Sequence, residues 1–534
     1  MAIPSLNIGG GKWATKQDKL LAYKQNIGGR YFAINGDTSR NSTATFTNQN
    51  ALIESVGNNV ARVDFKDDVK GALLLEPQST NLINQSESFG NSYWIKSGAS
   101  IQADPSTAGV EQVTNGDFAS GLTGWTNVGS WTSSVETANN DGSTSGDLYR
   151  DAVEPFKLDS FYLVKFTISN YIAGTFDINI GGNVNTVDVS ANGSYEYSLF
   201  MSSAPNNRIS LRPRSTFNGS IDNVSVKEVQ GFASPSVDSP TGAFKMIPNS
   251  ASGNRYMYLS VNNALSTNSI FLKKAELSFA KVGNAAATVV VDLDLGTLSK
   301  STDSVNDYSI ESFSNDWYKI SIYNKLNSNF QMHFFAGVDS TGANVSTNGA
   351  DGFYIYGAQL EALPYATSYI PTNGSAVTRV KDVATNFGDV NTFNSAAGTL
   401  FFEGSFLDGS DYNTISISND SGSDKCRLWF DNTNLVFATY VNNINQVFIS
   451  LPISNNVNYK IAVKYKTNDF GLFVNGVKSP NIAVNIGGVP SINSYKKLNF
   501  NSGSIYNNLN GKVKQVQVYK TALTDSELIT LTTI

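Results

Sequence analysis

Reactive and metal-binding side chains are scarce in this chain. Its 534 residues include one cysteine, Cys426, and one histidine, His333. An intrachain disulfide is therefore excluded, and a Ser-His-Asp or Cys-His catalytic system would depend on that single histidine. Both residues occur in apolar stretches, DKCRLWF and FQMHFFAGV. We therefore expect both to be core residues.

Charge is also low, because Asp, Glu, Lys and Arg make up 15% of the chain, against roughly 25% in ordinary soluble domains. The formal net charge is −6, and no basic patch or stripe is visible along the sequence. Binding to nucleic acid requires such a patch to neutralise phosphates. The composition therefore argues against partners that are nucleic acids or anionic lipids.

Long apolar runs are missing as well. No stretch of about 18 apolar residues occurs that could cross a bilayer, which predicts no membrane insertion. The N-terminal residues 1–19 contain no apolar core of about 7–15 residues, so we expect no signal peptide. These features predict synthesis and folding in a cytoplasm.

Short alternating segments dominate the chain from residue 70 onward. Examples are YLVKFTI, YKISIY, YKIAVKY and VKQVQVY. Alternation of apolar and polar residues over five to nine positions is typical of strands with one face on a core. The sequence therefore predicts an all-β fold of several β-sandwiches, of the jelly-roll or lectin-like type. One helical candidate, ATKQDKLLAYKQ, gives the N-terminal segment a predicted short helical or irregular character.

Two separated motifs resemble the ends of a jelly-roll module that is widespread in phage tail and fibre proteins. The first is GALLLEPQSTNLI at residues 71–83, and the second is YGAQLEALPYATSYIPTNGSAVTRV at residues 356–380. The resemblance implies a virion structural protein, with residues 1–70 as an N-terminal attachment segment. It also implies other virion proteins as partners, a location on the virion and, because fibre proteins are commonly trimers, a homotrimer.

The phage-type module is interrupted. Residues 110–231 open with VTNGDFASGLTGW and close with FNGSIDNVSVKEV, and they resemble a carbohydrate-binding-module jelly roll. The similarity to the phage-type module ends before residue 110 and continues after residue 231. We therefore predict a discontinuous module formed by residues 71–109 and 232–384, with residues 110–231 inserted in one of its loops.

Residues 385–534 form the last predicted domain. FGLFVNGVKS carries Asn475 and Gly476 between two apolar strands, which indicates a β-hairpin. Thr524 and Glu527 have the spacing of a helix capping box. This arrangement resembles laminin-G-like, concanavalin-type lectin domains, and the resemblance implies binding to host-surface glycans.

Sugar-binding sites combine aromatic faces with polar groups. The candidate rings for stacking on a glycan are Trp131, Trp429 and Tyr440, each of which has a core position as its alternative interpretation. No catalytic residue stands out, because no carboxylate pair is distinguished from the other Asp and Glu residues.

Two loops rich in Asp and Asn are the candidates for a structural calcium ion, which prefers oxygen ligands. Asp408 and Asp411 in FLDGSDYN are the named candidate ligands, and plain turns are the alternative. No other cofactor is predicted.

The sequence thus favours a non-enzymatic virion protein, a tail fibre, head fibre or decoration component, that adheres to host-surface glycans. Two alternatives stay open. One is a tail-associated polysaccharide depolymerase or secreted glycanase, and the other is a bacterial surface adhesin.

Overall fold

The computed structural model describes residues 2–534 apart from 12, 14, 17–18, 26–30, 251–252, 262–264, 284–287, 301–305, 326–329, 408–411, 481 and 504–506. It confirms the predicted all-β class of several packed sheets. The α-helix of the described residues is α1 (Asp525–Thr532), and two short 3-10 turns lie at Pro105–Thr107 and Ser314–Asp316. None of the helices in the described part of the chain is long and apolar enough to cross a bilayer.

The strands follow one another closely along the chain. Before residue 110 they are β1 (Leu6–Gly9), β2 (Thr15–Lys16), β3 (Lys19–Gln25), β4 (Tyr31–Asn35), β5 (Asp37–Ser39), β6 (Ala44–Thr47), β7 (Ile53–Val56), β8 (Val63–Asp64), β9 (Ala72–Leu75), β10 (Ser79–Asn81), β11 (Ile95–Ser97) and β12 (Ala99–Gln102). Between residues 110 and 231 they are β13 (Thr126–Asn127), β14 (Trp131–Ser134), β15 (Thr137–Asp141), β16 (Leu148–Asp151), β17 (Phe161–Ile180), β18 (Val184–Asn185), β19 (Gly193–Phe200) and β20 (Arg208–Val229).

The next strands up to residue 385 are β21 (Phe244–Pro248), β22 (Tyr256–Val261), β23 (Thr267–Lys274), β24 (Phe279–Gly283), β25 (Thr288–Asp292), β26 (Thr297–Lys300), β27 (Asp307–Phe313), β28 (Trp317–Tyr323), β29 (Phe330–Phe335), β30 (Phe353–Glu361), β31 (Val377–Arg379) and β32 (Val383–Thr385). The last are β33 (Ala397–Phe406), β34 (Asn413–Ser418), β35 (Lys425–Phe430), β36 (Asn434–Val441), β37 (Ile444–Pro452), β38 (Tyr459–Lys466), β39 (Gly471–Val474), β40 (Val477–Lys478), β41 (Ile482–Val484), β42 (Lys497–Asn499) and β43 (Gly511–Tyr519).

The predicted N-terminal helix is wrong. Within residues 14–25, Thr15–Lys16 and Lys19–Gln25 are strands, and β3 pairs with β1 on one side and β4 on the other. The modest helix propensity of this segment is outweighed because two neighbouring strands supply backbone hydrogen-bond partners.

The C-terminal sandwich consists of two sheets around one core. The terminal sheet has the order β2-β3-β1-β43-β33-β38-β39-β40, and β9 also pairs with β43. The facing sheet has the order β41-β37-β36-β35-β34-β42. Leu6 and Ile8 of β1 are fully buried in the core between these sheets. The first strand of the chain is therefore a structural part of the C-terminal sandwich.

The middle sandwich packs two six-stranded sheets against each other, with the orders β11-β22-β29-β24-β25-β26 and β12-β21-β30-β23-β28-β27. Residues 126–229 form a separate eight-stranded sheet, in which the long strands β17 and β20 pair along most of their length with three register shifts. Phe161 and Leu163 at the start of β17 lie in the core of the middle sandwich. The eight-stranded sheet is therefore anchored to that core.

Five buried charged residues connect the N-terminal strands to the middle sandwich: Arg40, Arg62, Glu76, Arg379 and Asp382. Asp382 pairs with Arg40 at 2.9 Å and also contacts Arg62. Glu76 pairs with Arg62 at 2.7 Å, and Arg379 Nη1 lies 3.4 Å from the same carboxylate. Burial alone would raise the pKa of Glu76, but the charges of Arg379 and Arg62 hold it well below its usual range. This ion network joins the two separated sequence motifs, because Glu76 lies in residues 71–83 and Arg379 in residues 356–380.

Local signals of the C-terminal sequence are confirmed. β39 and β40 pair as a hairpin with Val474 opposite Val477, and Asn475 and Gly476 both have positive φ. Thr524 and Glu527 form the capping box of α1.

Candidate functional site

The outward face of the facing sheet carries an unusual set of side chains. Along β35 the residues alternate strictly: Cys426, Leu428 and Phe430 are buried in the core. The residues between them, Lys425, Arg427 and Trp429, are half-buried and point the other way, because successive side chains of a strand lie on opposite faces. Two cations and one indole therefore line one strand on the outside of the molecule.

Neighbouring strands extend this row into an aromatic surface. Phe448 of β37 is 40% exposed, and its ring lies 6.0 Å from that of Trp429 in an edge-to-face arrangement. Ala438 of β36 pairs with both Arg427 and Phe448. The small side chain of Ala438 leaves room for the larger groups on either side to approach each other.

The two cations lie against aromatic rings. Arg427 Cζ is 4.5 Å from the centroid of Trp429, and Lys425 Nζ is 5.2 Å from the centroid of Tyr440. Arg427 also donates from Nη2 to Thr414 Oγ1 at 3.2 Å. Each cation thus has a defined position on the sheet.

Neither cation has a counter-charge among the described residues, since no carboxylate lies within 4.0 Å of Lys425 or Arg427. The Nε atom of Arg427 is buried and makes no hydrogen bond within the described part of the protein. Burial lowers the pKa of Arg427, and burial together with the charge of Arg427 lowers the pKa of Lys425. A guanidinium that is partly desolvated and unpaired favours an anion that completes its hydrogen bonds.

We call this surface, Lys425, Arg427, Trp429, Tyr440 and Phe448, the basic-aromatic face. Its rings can stack on the apolar C–H faces of a sugar. Its guanidinium can hold a carboxylate or sulfate through two parallel hydrogen bonds. The chemistry suits a polyhydroxylated ligand that carries negative charge.

The structure brings two of the three predicted stacking residues together, since Trp429 and Tyr440 both belong to this face. Trp131 lies elsewhere. It is 3% exposed, its Nε1 donates to the Gly146 carbonyl at 2.9 Å, and its ring meets Phe176 edge-on. The indole of Trp131 therefore belongs to the core of the eight-stranded sheet.

The calcium candidates Asp408 and Asp411 lie outside the described residues. In the part of the chain that is described, no group of three or more His, Cys, Asp or Glu side chains could hold a metal ion. A structural calcium ion stays a prediction.

The single cysteine lies in a core, as expected, whereas the histidine is buried on the outward face of its sheet, because its neighbours Met332 and Phe334 point into the core. Cys426 is fully buried, which raises the pKa of its thiol. His333 is 5% exposed and stacks on Tyr258, with ring centroids 4.8 Å apart.

Sequence reasoning missed Arg427, Lys425 and Phe448. Arg427 and Lys425 could have been identified from the sequence. Apolar and polar residues alternate in KCRLWF, so both cations share a strand face with Trp429. Phe448 is separated from this segment in sequence, so its contact with Trp429 depends on strand pairing that a single sequence does not reveal.

Comparisons with known proteins give similarities in structure only. No protein-family model and no curated protein matches the chain in sequence. The CBM40 module of Ruminococcus gnavus IT-sialidase bound to α2,3-sialyllactose is 16% identical, over 28% of this chain and 94% of that chain, with a TM-score of 0.24. Trypanosoma rangeli sialidase with 2,3-difluorosialic acid is 8% identical, over 98% of both chains, with a TM-score of 0.19. Such low scores transfer no residue role to this chain.

These comparisons correct one expectation. The sequence-based prediction of a non-enzymatic protein is contradicted by one of these comparisons, in which a sialidase matches 98% of the chain, and the TM-score of 0.19 assigns no activity to this chain.

Proposed function

We propose that the protein binds glycans, and that the basic-aromatic face holds glycans that carry carboxylate or sulfate groups. The observation that carries the proposal is Arg427, which is half-buried, lies on Trp429 and has no carboxylate partner among the described residues. A neutral glycan would use the rings alone. An anionic glycan would also satisfy the guanidinium, so the arrangement favours the charged ligand.

The test uses the full chain and two sets of oligosaccharides of equal length. Anionic oligosaccharides of alginate should bind, and neutral malto-oligosaccharides should bind at least tenfold more weakly, as measured by isothermal titration calorimetry. Arg427→Gln should remove this preference, because it keeps much of the side-chain volume and loses the charge. Binding should weaken as salt is raised, since the attraction is partly ionic.

A matched control is available in the eight-stranded sheet. Arg208 is exposed and also lies on an aromatic ring, with its Cζ 3.8 Å from the centroid of Tyr149. Arg208→Gln should leave binding unchanged. Equal affinity for the charged and the neutral set, or an equal loss in both variants, would refute the proposal for this face.

Cleavage of a glycan is the second candidate function, and a cavity of about 530 Å³ supports it. Asp67 and Glu311 line this cavity beside Lys66, whose ammonium contacts Glu311. Burial, reinforced by the charges of Lys319 and Lys512, lowers the pKa of Lys66 to about 7. A lysine that exchanges a proton near neutral pH can act as a general acid or base.

Release of reducing ends from an anionic polysaccharide tests this second candidate. Turnover should fall at least 100-fold in Glu311→Gln, and Glu196→Gln, at an exposed position outside the cavity, is the control. Repurified protein that releases no reducing ends from any charged polysaccharide would exclude cleavage at this cavity.

The finer role proposed from the sequence motifs is adhesion of a virion to host-surface glycans, with several copies acting together as a homotrimer. A single shallow site with Kd near 1 mM corresponds to roughly −4 kcal/mol. Several linked copies can add a factor of about 10² to 10⁴. Immunogold labelling of purified particles and the mass of the protein in solution test the virion location and the trimer.

A further inference from the structure

The cavity of about 530 Å³ lies where four parts of the chain meet, and we call it the junction cavity. Its floor is the outward face of β23, β28 and β27 in the middle sandwich. Its other walls come from residues 45–76, from the loop 364–369 and from the edge of the C-terminal sandwich near Lys512. Its volume falls in the range of about 300–1,000 Å³ that is usual for small-molecule sites.

The floor of the junction cavity is a regular grid set by strand register. In the central row, Ser269 pairs with Ser321 and Ser321 pairs with Ser309. In the next row on the same face, Lys319 pairs with Glu311. Because residues two apart on a strand share a face, hydroxyl groups and charged groups form parallel rows.

The hydroxyl row has unused hydrogen-bonding capacity. Ser321 is 4% exposed and Ser269 is 2% exposed, and the Oγ of each makes no hydrogen bond within the described part of the protein. Buried hydroxyls are normally paired, because leaving one unpaired costs free energy. Of this row, the exposed Ser309 and the buried Ser321 line the cavity, whereas Ser269 does not, so a ligand hydroxyl in the cavity could pair with Ser309 or Ser321.

Lys319 supplies a buried positive charge beside this row. It is 5% exposed, and its Nζ donates to the Thr367 carbonyl at 2.7 Å. Among the described residues, no carboxylate lies within 4.0 Å of it, whereas Lys512 pairs with Asp64 at 2.9 Å. A buried ammonium with one neutral acceptor favours an additional anionic partner.

The walls are held in place before any ligand arrives. Glu76 of the ion network accepts hydrogen bonds from Ser368 N at 2.8 Å and from Ser368 Oγ at 2.7 Å, which fixes the loop 364–369. Thr45 donates from Oγ1 to the Tyr369 carbonyl at 2.5 Å, which joins the N-terminal wall to the same loop. Binding in a preformed site avoids the cost of ordering its walls.

We propose that the junction cavity binds a sugar acid of one or two residues, with its carboxylate on Lys319 and its hydroxyls on the serine row. The ring of the sugar lies beside two tyrosines of the wall, Tyr323 and Tyr365. This inference concerns binding alone and depends neither on the basic-aromatic face nor on cleavage.

The experiment titrates the full chain with D-glucuronate and N-acetylneuraminate, and with D-glucose and N-acetylglucosamine as neutral counterparts. At least one acid should bind, and its neutral counterpart should bind at least tenfold more weakly. Lys319→Met should reduce binding of the acid at least tenfold, and Ser321→Ala should reduce it severalfold. Arg208→Gln, at an exposed position outside the cavity, should leave it unchanged.

Failure of both acids to bind overturns the inference, as does a Lys319→Met variant that binds like the parent. Loss of binding in Arg427→Gln alone would place the acid on the basic-aromatic face and would also overturn it. If Lys319→Met does not fold, the double variant Ser309→Ala, Ser321→Ala decides. It should melt close to the parent temperature and lose affinity at least tenfold, and unchanged affinity would contradict the assignment.

Discussion

The guanidinium of Arg427 lies 4.5 Å from the indole of Trp429, two residues further along the same strand. The contact is on the outside of the sheet, because the residue between them, Leu428, is buried in the core. The indole of Trp429 therefore belongs to the outward surface of the sheet. Its removal should weaken glycan binding more than it lowers the stability of the fold.

Trp429→Ala should cost about 1 kcal/mol of unfolding free energy, since the ring is only half-buried. Glycan affinity should fall at least tenfold, because both the stacking surface and the support of Arg427 are lost. Trp94, which is 1% exposed, is the matched tryptophan. Trp94→Ala should cost about 3–5 kcal/mol. Urea denaturation and calorimetric titration of both variants check this, and equal destabilisation would place Trp429 in the core.

Glu76→Gln tests the buried ion network. The substitution removes the negative charge that pairs with the buried guanidinium groups of Arg62 and Arg379. At pH 7 it should therefore lower the free energy of unfolding by about 3–5 kcal/mol. In the parent protein the folded pKa of Glu76 lies below the ordinary value of 4.5. Its contribution is therefore complete above pH 4.5 and is lost as the pH falls toward the folded pKa.

The acid dependence of stability should consequently be weaker in Glu76→Gln than in the parent. Chemical denaturation at several pH values between 7 and 3 measures this. Glu196→Gln, at an exposed position, serves as the control and should retain the acid dependence of the parent. A parallel pH profile in Glu76→Gln and the parent would contradict the proposed role of the network.

Gly476→Ala should destabilise the C-terminal sandwich by about 1 kcal/mol. Gly476 has a φ of +82°, in the left-handed region that residues with a Cβ avoid. An added Cβ would also lie 3.3 Å from Thr533 Oγ1. Gly57→Ala is the control, because its φ is ordinary and no atom lies within 4 Å of its added Cβ. Thermal melting compares the two, and an unchanged melting temperature in Gly476→Ala would argue against this turn.

The predicted insertion of residues 110–231 can be tested by replacing them with a short Gly/Ser linker. The entering and leaving chain segments run side by side, with Gly109 N donating to the Glu228 carbonyl at 2.9 Å. A short linker should therefore close the gap. The middle sandwich should still unfold cooperatively, but with about 3–5 kcal/mol less stability, because Phe161 is removed from its core.

Phe161→Ala in the full chain is the comparison for this deletion. It should reproduce most of the loss of stability of the middle sandwich, although residues 110–231 are still present. Non-cooperative unfolding of the deletion variant in calorimetry would mean that residues 110–231 are not a separate insertion.

Strand positions were well predicted where alternation is strict. KCRLWF and YKIAVKY are both strands, and burial alternates along the first, whereas residues 461–465 of the second are all buried. The hairpin at Asn475 and the capping box at Thr524 were also predictable, because both depend on residues close in sequence. The strand at Lys19–Gln25 could not be predicted in this way, because it forms through pairing with β1 and β4 and not through its own propensity.

The candidate sites were less accessible to sequence reasoning. Trp429 was visible as an aromatic residue on a strand, but its partner Phe448 is brought to it only by the pairing of β36 with β35 and β37. The junction cavity was not predictable at all. Its walls come from segments that are hundreds of residues apart, and a single sequence carries no record of which segments meet.

The first strand of the chain pairs with its last strand, Leu6 opposite Val518. The ribosome therefore releases residue 6 long before the strand that it needs has been made. Until β43 arrives, the apolar side chains of β1 have no permanent partner, and closing such a distant contact is slow. A chain whose synthesis stops before β43 leaves β1 without this partner, so pairing of Leu6 with Val518 reports that translation has passed residue 518.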